Sequence, residues 1–433
     1  MALVTPKSDQ NQVELKLPKW KANFWLGILW LIFIIDIMDR QAINAILPAI
    51  KKAYMFSDAQ LGLISSVMGV TISLCVFPLA ILIDRWSRRK MVSIMVMFWS
   101  LATYATGLAT TFGGLLAARA AVGLGESAYT PASMSMISAM YPKKQRGTVI
   151  GIYQTGQVLG GAAGIALAGY LAVKYGWKSV FGVLAVPGII LAVIAWFMPD
   201  FKAKKMNAET QKSSDPKIKD VIGHIFKTPT LLFIYLGSAA IFFSANTLGT
   251  WEASFYGRSF GMSVRDAALF VASAKLVAWI GAPLCGWVSD FLLKYTSKGR
   301  MLAAGIVVAL YGITILIATQ IAQHDKVINH TFIVWVIGAT FLAGYWGTVN
   351  SSTQDLVPAF MRGTAYSLVP LANYLLAGIW GPIIAGAIAD KIGLTSALQI
   401  IVAVSVVLGI FFFYMASRFW DRDMERAKIF GEI

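Results

Sequence analysis

Long apolar runs recur along nearly the whole chain, and they constrain its fold more than any other feature. A helix needs roughly 20 apolar residues to cross the hydrocarbon core of a bilayer. Runs of that length return at intervals of about 30 to 40 residues, which predicts roughly twelve membrane-spanning helices. They are too many and too long for a cleaved signal peptide, and the first follows a polar segment. The chain is therefore predicted to be an all-α membrane protein.

The composition and charge agree with a chain that is dissolved in lipid. Of its 433 residues, 57% are hydrophobic and 13% charged, a balance that is far from that of soluble domains. The formal net charge of +16 raises the question of nucleic acid, but no basic segment is interleaved with aromatic residues on a soluble module. We therefore expect the lipid bilayer and a small-molecule substrate as partners, and no nucleic acid.

The apolar runs fall into two sets of six, separated by a polar linker that is rich in lysine. The predicted spans lie at about 24–47, 60–83, 91–110, 113–139, 146–172 and 177–197, then at about 229–255, 265–288, 301–322, 330–354, 362–389 and 394–417. The predicted organisation is a cytoplasmic amino-terminal segment 1–23, a six-helix bundle 24–199, a cytoplasmic linker 200–228, a second six-helix bundle 229–417 and a cytoplasmic tail 418–433.

The distribution of lysine and arginine predicts the orientation, because positively charged segments stay on the cytoplasmic side. Most of the 37 lysine and arginine residues fall on one side when the amino terminus is placed inside. Large clusters of this kind are Arg85–Lys90, Lys143–Arg146 and the central linker. We expect both termini to be cytoplasmic, in a bacterial inner membrane or a plasma membrane.

The two halves also resemble each other. Arg146-Gly147-Thr148 opens the fifth predicted span, and Arg362-Gly363-Thr364 opens the eleventh. A second similarity between the halves lies after spans two and eight, where Asp84 and Asp290 each precede a basic segment. Related halves predict a pseudo-symmetric pair of bundles, with a substrate site near the bilayer midplane between them.

Specific motifs carry a resemblance to a known family. The segment Ala80–Lys90 is similar to the loop signature of the major facilitator superfamily, which has glycine, three residues, aspartate, a basic residue, any residue, glycine and a basic pair. Ala80 and Ser87 stand where the signature has glycine. Within the superfamily, the chain most resembles the spinster-like branch, and the anion:cation symporters of organic acids share much of its charged set. The resemblance to the spinster-like branch rests on the segments Asp39-Arg40, Phe98-Trp99-Ser100 and Arg119–Tyr129.

This resemblance implies two six-helix bundles that rock about a central cavity and give alternating access, driven in many members by proton entry. It also implies roles for four charged residues in substrate binding and proton coupling, namely Asp39, Arg40, Arg119 and Glu126.

Ionisable residues inside the predicted spans are candidates for function, because each costs several kcal/mol unless it is paired or faces water. There are six of interest: Asp36, Asp39, Arg40, Arg119, Glu126 and Lys275. Helical spacing puts the first three on one face of span one, and Arg119 and Glu126 about two turns apart. We assign proton coupling to Glu126, with Asp39 second and Asp36 as a further candidate. The alternative is a static salt-bridge cluster that ties helices together.

Basic residues in the spans favour an anionic substrate. Lys275, taken here as the only buried charge of the carboxy-terminal half, would suit a carboxylate, sulfonate or phosphate group together with Arg40 and Arg119. A lysine can instead snorkel to the interface. Polar and aromatic side chains that could line the same cavity are Tyr129, Asn246, Tyr345, Asn350, Asn373, Tyr374 and Trp380. For each of the last six taken singly, interhelical packing is the favoured interpretation.

Charged residues at the predicted cytoplasmic ends of spans are expected to act as a gate that holds this side closed until transport breaks their contacts. The gate candidates are Asp84, Arg85, Arg88, Arg146 and Asp290. The alternative for the basic loop residues is a role in setting topology alone.

The sequence leaves three functions open. The leading one is a secondary transporter that works by proton-coupled symport of a small organic anion such as a monocarboxylate. The second is a spinster-like lysolipid or sphingolipid exporter, which would need a lateral opening towards lipid. The third, a membrane enzyme, is disfavoured because the three histidines, His224, His324 and His330, lie in or near loops. We expect no enzymatic activity, no cofactor and no metal, and a monomer.

Overall fold

The computed structural model describes residues 17–200, 218–325, 327–357 and 362–431, and within these residues it contains no strand. The prediction of an all-α fold is confirmed. The helices of the first half are α1 (Lys19–Tyr54), α2 (Asp58–Arg85), α3 (Arg88–Leu108), α4 (Phe112–Ser127), α5 (Tyr129–Met140), α6 (Lys143–Tyr175) and α7 (Trp177–Ala195). Those that follow are α8 (Ile218–Lys227), α9 (Pro229–Phe260), α10 (Val264–Ala278), α11 (Gly281–Leu293), α12 (Gly299–His324), α13 (Ile328–Asp355), α14 (Arg362–Asn373), α15 (Trp380–Ile392) and α16 (Leu394–Gly431).

By length and composition, eleven helices among the described residues are long and apolar enough to cross a membrane. The predicted fourth span, 113–139, is not among them, and it carries the charged residues Arg119 and Glu126. Its helix is also interrupted at Ala128, which separates α4 from α5. These two short helices together occupy the predicted span. The interruption directly follows Glu126 and Ser127, so the local break lies next to a predicted functional residue.

Polar side chains and glycines define where several helices begin and end. Ser87 caps the start of α3 by accepting a hydrogen bond from the Lys90 amide, and Thr111 caps α4 in the same way through Gly114. Between α6 and α7, Gly176 adopts a φ of 85°, which L-residues rarely adopt. The chain can therefore reverse direction there within one residue.

The segment predicted as a simple linker, 200–228, contains one additional helix. Helix α8 begins at Ile218 and ends at Lys227, with Ile225 buried and Phe226 exposed. The sequence predicts only that this segment is a polar linker that does not cross the membrane. A short helix forms here because apolar residues recur at helical spacing within it. The remainder of the linker, 201–217, lies outside the described residues.

The contacts of the chain divide it into two compact units. The first comprises Met1–Asp39, Thr71–Gly160 and Phe181–Ser213. The second comprises Arg40–Val70, Gly161–Val180 and Ser214–Ile433, so it includes parts of α1, α2, α6 and α7. The predicted bundle boundaries at 199 and 229 stay a prediction.

Within the first unit, helices approach each other closely at glycines. A Cβ atom added to Gly160 of α6 would lie 2.6 Å from the Ile34 carbonyl oxygen and 3.0 Å from the Ile37 Cβ of α1. A Cβ on Gly125 of α4 would lie 2.7 Å from the Trp99 Cβ of α3. Small residues at such points let the backbones of membrane helices come into contact.

We expect Gly160→Ala to destabilise the protein by about 1–3 kcal/mol, because the Ile34 backbone would have to move away from the new methyl group. Gly151→Ala is the matched control on the same helix, since a Cβ there has no heavy atom within 4 Å. Thermal unfolding in detergent checks this. Equal melting temperatures for the two variants would show that α1 and α6 are not packed as described.

Within the second unit, the chain between α14 and α15 forms a π-helical turn over Tyr374–Gly378. The Ile379 amide donates to the Tyr374 carbonyl over 3.2 Å, a bond between residues five apart. Asn246 of α9 donates from Nδ2 to the Gly378 carbonyl over 2.6 Å. The turn frees a backbone carbonyl, and a side chain from the neighbouring helix satisfies it.

Candidate functional site

A buried ion pair between α1 and α4 is the centre of the candidate site in the first unit. The Arg119 Nη1 atom lies 3.1 Å from Asp39 Oδ1 and 3.2 Å from Asp39 Oδ2. Thr103 of α3 donates from Oγ1 to Asp39 Oδ2 over 2.9 Å. The side chains of Arg119 and Asp39 are 0% and 2% exposed. Three helices therefore meet at one charge pair that is shielded from solvent.

The other two predicted proton carriers of this unit are buried as well. Glu126 lies two turns after Arg119 on α4 and is 1% exposed, while Asp36 lies one turn before Asp39 on α1 and is 0% exposed. Both have partners within the structure. Three carboxyl groups, on α1 and α4, are thus buried in the same unit as the Arg119 guanidinium.

Tyr129 and Arg40 are placed differently from this cluster. Tyr129 is fully buried and donates to the Leu29 carbonyl over 2.5 Å, while its ring meets Trp99 edge-on at 5.4 Å between centroids. In this structure it ties α5 to α1. Arg40 is half-buried and is the first residue of the second unit, although it directly follows Asp39 in sequence.

Lys275 of the second unit lines a cavity of 220 Å³ between α9, α10, α12 and α13. The prediction that Lys275 is the only buried charge of the carboxy-terminal half is wrong. Glu252 of α9 is 6% exposed and lines the same cavity, and Asp423 of α16 is buried as well. Glu252 lies inside the predicted span 229–255, so its position in an apolar run was a signal that could have identified it.

The remaining predicted ligands in the second unit lie mostly at helix contacts. Asn246 bonds to the π-helical turn, and Asn373 Nδ2 donates to Ser238 Oγ over 3.0 Å. Tyr345 is buried and Tyr374 packs edge-on against Phe242. Asn350 is half-buried and Trp380 is exposed. The two asparagines serve interhelical packing here, as the favoured interpretation of the sequence predicts, and their substrate contacts stay a prediction.

Three of the five predicted gate residues make contacts that the structure describes. Arg88 is buried and donates from Nε to Ser135 Oγ over 3.2 Å, and Arg146 donates from Nε to the Tyr141 carbonyl over 3.0 Å. Asp290 is exposed and pairs with Arg300 at 3.7 Å. The side chains of Asp84 and Arg85 lie outside the described part of the structure. The gate therefore stays a prediction.

A second charged cluster, which the sequence analysis missed, lies at the predicted outer ends of α1, α2, α9 and α15. The Asp58 carboxylate accepts two hydrogen bonds from Arg258, each 2.6 Å, and contacts Lys51 Nζ at 2.6 Å. Asp390 accepts from the amides of Asp58 and Ala59 over 2.8 and 3.1 Å and so caps the start of α2. We call these four residues, Lys51, Asp58, Arg258 and Asp390, the outer charge cluster.

The helical fold and buried charges define an integral membrane transporter, and comparison with known proteins gives its family. Residues 29–382 match the model of the Major Facilitator Superfamily. The chain belongs to this superfamily. It is a transporter and not an enzyme.

Similar proteins include a transporter of sugar acids and spinster-like transporters. The chain is 29% identical to the hexuronate transporter of Bacillus subtilis, over 84% of this chain and 87% of that protein. It is 24% identical to a sphingosine-1-phosphate transporter of Xenopus tropicalis, over 93% of this chain and 83% of that protein. Among solved structures, a bacterial homolog of the human lysosomal transporter Spinster aligns with a TM-score of 0.82 at 24% identity, covering 94% of this chain and 99% of that one. This last likeness bears on the fold alone.

Proposed function

We propose that the protein is a proton-coupled symporter of a small sugar acid of the hexuronate class, working by alternating access. The observation that carries the proposal is the buried Asp39–Arg119 pair with Glu126 on the same helix as the arginine. A membrane protein that maintains ionised groups in its interior pays a continuing free-energy cost, which static packing with apolar residues would avoid.

The choice of an anionic sugar acid has two supports. Arg119 presents a guanidinium, the group best matched to a carboxylate in geometry and charge, and its present partner is a carboxylate. A substrate carboxylate could therefore replace Asp39 once that residue is neutralised by a proton. The similarity to a hexuronate transporter supports the same substrate class.

The coupling of proton and substrate transport follows because the carboxylates of the site and the substrate anion compete for the same cation, Arg119. A proton on Asp39 or Glu126 removes negative charge beside Arg119, and an incoming anion then restores the balance. Proton and substrate would thus promote each other's binding, which is the thermodynamic requirement for symport. We assign the proton to Glu126, with Asp39 second and Asp36 third, and place both termini on the cytoplasmic side.

A lysolipid or sphingolipid is the second candidate substrate, since the chain is also similar to a sphingosine-1-phosphate transporter. Proteoliposomes with an imposed pH gradient separate the two. We expect uptake of labelled D-glucuronate or D-galacturonate that depends on the gradient, and none of D-glucose, which lacks the carboxylate. Flux of sphingosine-1-phosphate or a lysophospholipid without any flux of hexuronates would overturn the proposal.

Glu126→Gln tests the proton carrier. We expect uptake driven by the pH gradient to fall by roughly tenfold or more, because glutamine cannot ionise, while exchange of substrate across the membrane continues. Glu425→Gln, which removes an exposed carboxyl group from α16, is the control and should transport normally. Retention of proton-driven uptake by Glu126→Gln would exclude this residue as the carrier.

A further inference from the structure

The cavity of the second unit combines features that neither the fold nor the site in the first unit requires. It has a volume of 220 Å³ and is lined by side chains from four helices. Two of these side chains carry charges of opposite sign when ionised, namely Glu252 of α9 and Lys275 of α10. The aromatic rings of Trp279, Tyr311 and Trp335 line it as well. Two charges of opposite sign thus share one small and largely apolar space.

Glu252 and Lys275 face this space without joining in an ion pair, in the part of the chain that the structure describes. They are nonetheless close enough for the ammonium group to act electrostatically on the carboxylate. In an apolar interior, each charge offsets much of the cost of burying the other. The other titratable groups near Glu252 are Tyr311, which lines the cavity, and Tyr256, one turn further along α9. Lys275 is therefore the cation among the groups that face Glu252.

The size of the cavity limits what it can hold. Pockets that enclose a whole small ligand are usually about 300–1,000 Å³. A volume of 220 Å³ is below this range, so the cavity suits the charged end of a larger molecule. The lining of the cavity is largely apolar, and the interaction of Lys275 with an anionic group is stronger there than in water. The size and the charge of the cavity therefore suit one anionic head group.

We propose that this cavity receives the carboxylate group of the transported anion at a different stage of transport from the contact with Arg119, with Lys275 as its cationic contact and Glu252 as a second proton-binding group. When Glu252 is ionised, it neutralises Lys275 and repels an incoming carboxylate. When Glu252 takes up a proton from water on one side of the membrane, the charge of Lys275 is left for the substrate. The proton returns to water on the other side after the anion has left. This inference rests on the proposed function and adds a second proton site to it.

The test is the pH dependence of hexuronate binding by the full-length protein in detergent. The slope of the logarithm of the dissociation constant against pH gives the number of protons taken up with each anion. We expect D-glucuronate to bind the wild type more tightly as pH falls, by up to about tenfold per pH unit for each linked proton. Glu252→Gln, which resembles the protonated residue, should lower this slope by up to one proton and bind tightly at high pH.

Two further variants test whether the effects on binding are specific to the charges of this cavity. Lys275→Met keeps a long side chain without its charge, and we expect it to weaken D-glucuronate binding about tenfold or more at every pH. Glu425→Gln removes an exposed carboxyl group and should leave both slope and affinity unchanged. A wild-type slope in Glu252→Gln, or wild-type affinity in Lys275→Met, would overturn the inference.

Failure of this inference can be told apart from failure of the proposed function. If Glu126→Gln lowers the slope and Glu252→Gln does not, the symport proposal stands and the second proton site is wrong. If the wild type does not bind D-glucuronate at any pH, both are wrong.

A measurement without ligand completes the test: thermal unfolding of Glu252→Gln, Lys275→Met and the double variant. We expect the double variant to be more stable than either single one, and additive losses would contradict the charge pairing.

Discussion

Arg119→Gln is expected to abolish hexuronate transport and to lower stability by about 3–5 kcal/mol, because it leaves the Asp39 carboxylate buried without its cation. Thr103 would then be the remaining described hydrogen-bond donor to that carboxylate. Arg119→Lys keeps the charge but loses the planar guanidinium, so we expect partial stability and transport reduced by roughly tenfold or more. Uptake into proteoliposomes and thermal unfolding provide the two readouts. The matched control is Arg265→Gln, which removes an exposed arginine from the start of α10.

The double variant Asp39→Asn with Arg119→Gln decides between transport and packing. It removes both charges, so we expect it to recover most of the stability that Arg119→Gln loses. It should nevertheless fail to transport, because neither a guanidinium for the substrate nor Asp39 remains. If this double variant transports at the wild-type rate, the pair is a static salt bridge, the alternative that the sequence already left open.

Asp58→Asn is expected to lower the stability of the protein by about 2 kcal/mol, because it removes the shared carboxylate of the outer charge cluster. The side chain of Asp58 is 2% exposed, whereas those of Arg258 and Lys51 are 32% and 38% exposed. Solvent can therefore stabilise the two cations in part, and the expected loss is smaller than for a fully buried pair. Thermal unfolding of Asp58→Asn, Arg258→Gln and the double variant measures the coupling between them, which we expect to exceed 1 kcal/mol.

Asp290→Asn is the control for this prediction. The Asp290 side chain is 72% exposed and pairs with Arg300 at 3.7 Å, so its loss should change stability by less than about 0.5 kcal/mol. Equal effects of Asp58→Asn and Asp290→Asn would show that burial of Asp58 contributes nothing. Additive effects of Asp58→Asn and Arg258→Gln would show that the two residues are not energetically coupled.

Hydropathy was sufficient to predict the all-α fold because lipid leaves the backbone few alternatives to helices. It was also sufficient to single out Asp39 and Arg119, since charges in an apolar run are conspicuous. Their partnership was harder to foresee, because 80 residues separate them. Helical spacing showed which residues share a face, but only the packing of α1 on α4 brings the two faces together.

Glu252 illustrates a different limit. Glu252 was overlooked although it lies inside the predicted span, which ended at residue 255. Helix α9 continues to Phe260, so the helix extends beyond the predicted end of the span. The boundaries of a span are the least certain part of such predictions, since apolar and amphipathic residues both occur at the interface.

Asp58 and Asp390 show a third limit. Both lie near predicted span ends, where charged residues are common and need no explanation. The contacts that distinguish them join residues about 200 and 330 positions apart, such as Asp58 with Arg258 and with Asp390. No local pattern in the sequence contains that information.

The π-helical turn at Tyr374–Gly378 holds one residue more than a regular α-helical turn. This extra residue sets the rotation of the following helix, α15, about its axis. Each residue of a regular helix advances the chain by roughly 100° around the axis. Deleting a single residue from this turn would therefore do more than shorten the segment: it would restore ordinary winding and swing α15 as a whole relative to α14. Evolution could re-aim the side chains from Trp380 onwards by such a deletion, while every one of those side chains kept its identity.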